Sequence, residues 1–563
     1  TIPRSDGPFR IFTQNCEVDK PFVFNNRFCV TRGKQFFRDG EIRFPPGDRH
    51  NPDKRYRTCF GPAVSHNGVV YSVSNNNVRL AMRRLLCRRQ PERPGFDSLL
   101  FVNQKQFCMG RDQYVAHLAG LYYPYFSSYT DHITEAREHH ADPHPKRLLR
   151  IDAYVNMVAD GRFFTSPTWI ERAVTGKEKP DEFAKPEKYP RIIGDYGTEA
   201  SLLGFRIIEF LKTAQASEII HYRGGDMEFC KSPEPFHLVS IFEKLINPPG
   251  VYYFVYFSDD SCLSVRTTTG VQMYNLDISS CDGSHGPAVF QAFAQLFPER
   301  THSTVALLIE QCFTPVRIYS VDDPRQYVEL QPKTPFLYSG STITTAINNF
   351  ACQLFMSSIA DVGDFSTAGI IAGGERAGYI LTVQACESYH DLQFLKHSPV
   401  RDVSGCLRPL LNVGVLLRLS GCCRGDLANF GGKGKSLKDR AAIFQASLLV
   451  SAYPRAHFTL IDMMKKRFSL GSRTLDLSSI FEYKIGNHDD YPAFVVSDFE
   501  VYRRYRLTEI QVIEINMLLG NLGYGQLLST SGLSAILFAD YGLSCATQTV
   551  PAVLLPPWWK GQS

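Results

Sequence analysis

Much that would sort this sequence quickly is missing from it. Its 15 cysteines in 563 residues are an odd number without any Cys-x-x-Cys spacing, which excludes a disulfide-stapled scaffold. The closest pair, Cys422-Cys423, is adjacent and suits neither a simple bridge nor a zinc site. Reduced thiols are expected. No apolar run reaches the roughly 20 residues of a membrane span, and Thr1-Ile2-Pro3-Arg4-Ser5-Asp6 lacks the apolar core of a signal peptide. A soluble, intracellular chain is the expectation. There is no internal repeat. Charge of one sign is not in large excess, at +5 net. What is present, 44% hydrophobic and 21% charged residues, suffices for a large core divided among two to four domains and excludes a disordered tail or a collagen.

The small net charge hides an asymmetry. Residues 1–150 carry 24 Lys and Arg against 14 Asp and Glu, and the remainder carries 37 against 42. That distribution suits a polyanion gripped at one place and cations held at another. Asn75 to Arg89 reads as a helix, with Val78, Leu80, Ala81, Leu85 and Leu86 interleaved by Arg79, Arg83, Arg84, Arg88 and Arg89. A solvated face and nucleic-acid contact are both open to it. His139, His140 and His144 stand in a polar stretch without a neighbouring cysteine, which argues against a zinc site. Residues 421–440 imitate a phosphate-binding loop, but Gly434-Lys435-Ser436 would need a glycine where Asn429 stands. A helix is expected around Ser201 to Ala214. Val251 to Phe257 is an apolar and aromatic run that stops at Ser258-Asp259-Asp260, and it reads as a buried strand.

Chemistry concentrates in Tyr274-Asn275-Leu276-Asp277-Ile278-Ser279-Ser280-Cys281-Asp282-Gly283-Ser284. An apolar strand delivers Asp277 at its end, and Asp282 follows where the chain turns toward Gly283. If the two strands are neighbours, Asp277 and Asp259-Asp260 converge. Crowded carboxylates repel unless cations sit between them, and a pair of divalent ions about 3.5–4 Å apart is the usual answer. Hard oxygen ligands select magnesium or manganese. Such a pair serves in-line displacement at phosphorus. Further on, Ser339-Gly340-Ser341 begins a pliable loop before a helix expected to reach about Ala360, on which Thr344 and Asn348 share a face. Polar donors there suit recognition of a ribose by its 2′-hydroxyl.

These residues resemble a viral RNA-dependent RNA polymerase. Asp277-x4-Asp282 is similar to that family's motif A, and Ser339-Gly340-x3-Thr344-x3-Asn348 to its motif B, both with the family's spacing. Phe394-Leu395-Lys396 is similar to the primer-grip turn of motif E, and Lys188-Tyr189-Pro190-Arg191-Ile192-Ile193 to the basic fingers strand of motif F. The Asp-Asp hairpin, motif C, departs from the usual order. It ordinarily follows motif B, yet between Ser341 and Phe394 stand only Asp361, Asp364 and Asp391. The matching element is Ser258-Asp259-Asp260, upstream of motif A. This C, A, B order is similar to that of the permutotetravirus and birnavirus polymerases. Asp322-Asp323 precedes Pro324 and Asp489-Asp490 precedes Tyr491-Pro492, so both read as turns. In motif D, aligning Gly378 to Thr382 with the family's strand puts Glu387 near the place of a proton-donating lysine, with Arg376 and His390 as alternatives.

The resemblance implies an α+β right-hand polymerase with fingers, palm and thumb, an antiparallel palm sheet and a circularly permuted motif C hairpin. The implied divisions are 1–165, an N-terminal extension with part of the fingers; 166–250, fingers with motif F; 251–400, palm; and 401–563, thumb and C-terminal tail. It implies template-directed RNA synthesis by nucleotidyl transfer from nucleoside triphosphates to an RNA 3′-hydroxyl. Asp259 and Asp277, with Asp260 as auxiliary ligand, would hold two magnesium ions, manganese being the alternative. Asp282, Ser339, Gly340, Thr344 and Asn348 would meet the nucleotide's ribose, and Lys185, Lys188 and Arg191 its phosphates. Lys396 would support the primer end, and Arg424, Lys433, Lys435, Lys438 and Arg440 would line the template and product RNA. Other viral replication proteins are expected partners, and the expected location is replication complexes in the host cytoplasm. Two other classes compete. A two-carboxylate hydrolase needs no metal but leaves Thr344, Asn348 and Lys188 unexplained. A nonenzymatic RNA-binding viral protein would be indifferent to Asp277.

Overall fold

The computed structural model describes residues 13–46 (save 23, 25 and 26), 55–57, 63–64, 70–86, 173–197 (save 180, 181, 183 and 186), 219–295 (save 231 and 232), 308–419 (save 342), 422–424, 456–467, 491–521, 527–528 and 530–542. His139, His140, His144, Arg88, Arg89, the stretch 201–214, Lys433, Lys435, Lys438, Arg440 and Asp489-Asp490 lie outside the described residues.

In chain order, strand β1 (Phe28–Arg32), helix α1 (Asn75–Leu86) and strands β2 (Val174–Glu178) and β3 (Ile192–Asp195) come first. Five strands follow: β4 (Ile220–Tyr222), β5 (Gly225–Phe229), β6 (Tyr252–Phe257), β7 (Asp260–Thr267) and β8 (Gly270–Ile278), with helix α2 (Pro235–Ile246) between β5 and β6. Strands β9 (Val316–Tyr319) and β10 (Tyr327–Pro332) precede helices α3 (Thr344–Val362) and α4 (Thr367–Arg376) and strand β11 (Leu381–Cys386). The hairpin β12 (His397–Arg401) and β13 (Leu407–Leu411) comes before α5 (Asp498–Tyr502), α6 (Glu509–Asn521) and α7 (Ser531–Tyr541).

Six strands form one sheet in the order β4-β5-β6-β7-β8-β11. All neighbours are antiparallel except β5 and β6, which run parallel. That pair departs from a wholly antiparallel sheet because α2 provides the crossover that a parallel connection needs. The aromatic run Tyr252–Phe257 is buried throughout since both of its faces are covered. Phe254 meets Phe355 of α3 edge-on at 5.6 Å, and Gln353 donates to the Tyr256 hydroxyl at 2.7 Å. On the other face Tyr253 donates to Glu228, and Lys244 of α2 lies 5.6 Å over its ring. A strand covered on both sides has no reason to alternate, which explains its uninterrupted apolar sequence.

A second sheet, in the order β1-β10-β9-β2-β3, gathers strands from widely separated parts of the chain around Val174, Val316, Ile318, Val328 and Leu330. Helix α1 packs against it through Val78, Met82 and Leu86. Its arginines divide by role. Arg79 and Arg83 both reach buried Glu41, Arg79 at 3.1 Å, and Arg83 also reaches Asp19 at 2.5 Å. Burial pushes the Glu41 carboxyl up, but hydrogen bonds from Arg83 and Arg43 outweigh it and hold the pKa below its ordinary value. Arg84 instead donates to the Tyr189 carbonyl at 3.1 Å and lines the large cleft between the two sheets. Among the described residues, no helix is long and apolar enough to cross a membrane.

Candidate active site

The two acidic segments meet. Strand β6 turns into β7 through Ser258 and Asp259, pairing Phe257 with Asp260, and β7 pairs with β8 so that Asp260 stands directly opposite Asp277. Thr382 of β11 is the next residue across. Opposed residues share a face, so Asp260, Asp277 and Thr382 form one row, with Asp259 in the turn beside it. The hairpin precedes β8 in the chain yet lies next to it in space, because strand pairing is indifferent to chain order.

The turn is held from beneath by α3. Ser258 adopts φ 54°, a left-handed conformation that costs a non-glycine residue roughly 1–2 kcal/mol. Three contacts offset that cost. Its N–H donates to Asn349 Oδ1 at 2.5 Å, its hydroxyl accepts from Asn348 Nδ2 at 3.3 Å, and its carbonyl accepts from the Cys352 thiol at 3.2 Å. A glycine would suit this φ unaided, and the serine works here because the helix supplies partners.

Asp277 opens onto the cleft. Desolvation raises its pKa first and the charge of Asp259 raises it further, against the pull of Lys188 and Arg191. Asp260 is more enclosed: burial pushes it up to about 7, opposed chiefly by the Leu395 N–H, which donates to its Oδ2 at 2.8 Å. One oxygen of the expected auxiliary ligand is therefore committed to the backbone of the Phe394-Leu395-Lys396 turn. That turn places Leu395 at φ 51° and Lys396 at φ 64° and is closed by two backbone hydrogen bonds between Phe394 and His397, of 2.9 and 3.0 Å.

The cleft of about 550 Å³ is lined by Asp259, Asp277, Asp282, Ser339 and Thr382 together with Lys188, Arg191, Lys179 and Arg84. Asp282 accepts from Asn348 Nδ2 at 3.0 Å. Burial raises its pKa, and the hydrogen bonds from Asn348 and Ser339 counter that rise. The loop bearing Ser339 is docked on β3, where Gly194 N–H donates to the Ser339 carbonyl at 2.8 Å. Gly340 has φ 99°, and a Cβ there would sit 2.5 Å from the Gly194 carbonyl oxygen, so the close approach and the backbone conformation both require glycine.

Against this geometry, the comparisons with known proteins are brief. No protein-family model and no curated protein matches the sequence. Among solved structures, the chain is similar to the RNA polymerase VP1 from Infectious Pancreatic Necrosis Virus, at 12% identity and a TM-score of 0.40 over 71% of this chain and 62% of that one. It is also similar to a chain of the birnavirus VP1–VP3 complex, again at 12% identity and a TM-score of 0.40, over 68% and 55% of the two chains. The chain thus spans less than two thirds of the length of either.

The remaining predicted residues fall in several places. Thr344, at the start of α3, donates to the Tyr338 carbonyl at 3.4 Å in the loop before it. Asn348 is buried, with Nδ2 donating to Asp282 and Ser258 and Oδ1 accepting from His285 and Cys281. Its polar capacity is filled, so it bears on the cleft through Asp282. Arg191 pairs with Glu182 at 2.7 Å. Lys185 is pushed down to about 8 by burial and by the neighbouring charges of Lys188, Arg191 and Lys396. Lys396 extends its ammonium over the Tyr541 ring of α7 at 4.9 Å. Arg424 lies in a short strand paired with Arg55.

The motif D candidates sit away from the row of carboxylates. Glu387 follows the end of β11 remote from Thr382 and pairs with Arg506 at 3.4 Å. His390 meets Glu500 at 2.8 Å, and Arg376 donates to the Ser358 carbonyl at 3.2 Å. Asp322 accepts from Asn75 and Asp323 from Arg325, as turn residues do. Lys179, Asn349, Cys352, His285 and Tyr379 were not singled out by the sequence. The adjacent pair Asn348-Asn349 was the available signal: two amides on one helix can serve both the turn below and the carboxylate beside it.

Proposed function

We propose that this chain is an RNA-directed RNA polymerase with a permuted palm, transferring nucleotides from nucleoside triphosphates to an RNA 3′-hydroxyl. The observation that carries the reading is the meeting of Asp260 and Asp277 on adjacent strands with Asp259 in the turn beside them, Asp259 and Asp277 sharing one cleft with Lys188 and Arg191. A nucleotidyl transfer site needs this opposition: carboxylates where cations are wanted, and cationic side chains where phosphates arrive.

Among the described residues no group of three or more His, Cys, Asp or Glu is arranged as a metal cage. Magnesium does not need one, since it is commonly bound by one or two carboxylates with substrate phosphates and water completing its shell. The donor set fits, because Asp277 is desolvated and raised further by Asp259, a strain that a dication relieves. Asp259 and Asp277 would hold the ions, with Asp260 as auxiliary ligand through its other oxygen while its Oδ2 braces the primer-grip turn through Leu395. Magnesium, when bound, acidifies the attacking 3′-hydroxyl and neutralises charge on the triphosphate.

The chain's own groups do the rest. Lys188 and Arg191 draw the triphosphate into the cleft by charge-assisted hydrogen bonds. Asp282, steadied by Asn348 and Ser339, offers an acceptor to the ribose 2′-hydroxyl. Lys396 supports the primer end, and Arg84 and Lys179 extend the basic wall. RNA template and product are the macromolecular partners, other viral replication proteins are further ones, and replication complexes in the host cytoplasm are the proposed setting.

Templated incorporation of labelled nucleotide, with and without EDTA and with Asp277→Ala, tests the reading. Incorporation that needs both metal and Asp277 is expected. Hydrolytic activity indifferent to EDTA would favour a two-carboxylate hydrolase instead, and RNA binding without incorporation a nonenzymatic role.

A further inference from the structure

Behind the cleft lies a buried imidazole that the chemistry above does not use. His285 is 1% exposed. Its Nε2 is 2.8 Å from Asn348 Oδ1, and its Nδ1 is 2.9 Å from the Tyr379 hydroxyl. Burial pushes its pKa down to about 4, so the ring is neutral and carries a single N–H.

Which nitrogen carries that hydrogen follows from the far end of the amide. A carboxylate only accepts, so Asn348 turns Nδ2 to Asp282 and must turn Oδ1 to His285. An amide oxygen accepts, so Nε2 bears the hydrogen, and Nδ1 is left to accept from Tyr379. A single direction of donation therefore runs from Tyr379 to His285 to Asn348 to Asp282. Among the described residues, Oδ1 has besides His285 the Cys281 thiol, at 3.3 Å, a weak donor. The segment carrying His285 is fixed in turn by Arg27, which donates to the carbonyls of Gly283 at 2.6 Å, His285 at 3.2 Å and Pro335 at 3.3 Å. Tyr379 is equally enclosed, at 1% exposed, in the turn between α4 and β11.

We propose that His285 and Tyr379 are positioning residues for sugar selection, holding the Asn348 amide in the one orientation that keeps Asp282 aimed at the nucleotide's 2′-hydroxyl. The inference rests on the polymerase reading and adds to it a buried relay that reaches Asp282 through the Asn348 amide. Tyr379 sets the tautomer, His285 converts it into a donor, and the amide delivers the effect to Asp282. Neither ring touches the nucleotide.

The test is the ratio of incorporation efficiencies for a matched ribo- and deoxyribonucleotide. Tyr379→Phe removes only a hydroxyl and should lower the ratio about threefold; His285→Leu, which removes the donor itself, should lower it about tenfold, within the range expected for a lost hydrogen bond between neutral groups. Both should act by raising KM for the ribonucleotide while leaving the deoxyribonucleotide unchanged. His285→Gln, which returns an N–H donor, should restore part of the ratio. A merely structural role would slow both nucleotides alike. Equal slowing, or a wild-type ratio in folded Tyr379→Phe, overturns the inference and leaves the polymerase reading standing. No templated incorporation by the unsubstituted chain overturns both together.

Discussion

Replacing Asp260 by asparagine should stabilise the metal-free protein, and the gain should depend on pH in a defined way. Asp260 ionises at about 7 in the folded chain against an ordinary value of 3.8, chiefly because it is buried. A carboxyl raised on folding binds a proton more tightly in the native state, so its contribution is full below about pH 4 and is lost as pH climbs through 7. The difference of about three pKa units corresponds to roughly 4 kcal/mol at 1.36 kcal/mol per unit. Some of the residue's surface stays in contact with solvent, which lowers a realistic figure to about 2–4 kcal/mol. Asparagine keeps the shape and an acceptor for the Leu395 N–H and carries no charge to bury. Urea midpoints followed by far-UV circular dichroism in EDTA should show the variant's advantage growing by at least about 1 kcal/mol from pH 5 to pH 8. Added magnesium should narrow the gap at pH 8, since a dication beside the carboxylates favours the ionised form of Asp260 in the parent. A variant less stable than the parent at pH 8, or an advantage that does not change with pH, would show that Asp260 is not strained by its surroundings.

Asp259→Ala and Asp277→Ala should each abolish nucleotide incorporation while the protein stays folded and binds RNA, whereas Asp489→Ala should be nearly silent; the reverse pattern in the same assay would refute the permuted assignment. Asn348→Ala should narrow the preference for ribonucleotides by about 5- to 150-fold and lower stability by roughly 1–3 kcal/mol, because it strips partners from Asp282, Ser258 and His285 at once; matched-nucleotide kinetics and urea midpoints check the two effects. Template affinity should fall steeply with ionic strength, and neutralising Lys433, Lys435 and Lys438 together should flatten that slope if their segment lies on the RNA path; an unchanged slope would return them to a solvated face. Glu41→Ala should destabilise the protein by about 3 kcal/mol, the low end for a broken buried pair, since it removes the buried counter-ion of Arg79 and Arg83 while Asp19 still meets Arg83, and a shift in Tm is the readout.

Local pattern alone determined a good deal about this protein. An unbroken aromatic run is readable as a buried strand because every position is covered, and the Ser-Asp-Asp after it as a turn because carboxylates must leave such a strand. Asp277 at the end of β8, the loop glycine Gly340 and the helix after it are legible for the same reason: side-chain period and backbone freedom are properties of neighbours in the chain. Tertiary structure decided the rest. The charges of Arg79, Arg83 and Arg84 are alike in sequence, and only the tertiary structure pairs the first two with Glu41 and Asp19 and sets the third against the Tyr189 carbonyl at the cleft. Asn348 reads as a group facing the sugar, yet packing against Ser258, Cys281 and His285 fills its hydrogen-bonding capacity and makes it a support. Asp260 reads as a ligand, and the Leu395 N–H arriving from residues far along the chain claims one of its oxygens. Hydrogen-bond partners and desolvation depend on what lies within a few ångströms in space, and residues remote in sequence supply most of that surrounding.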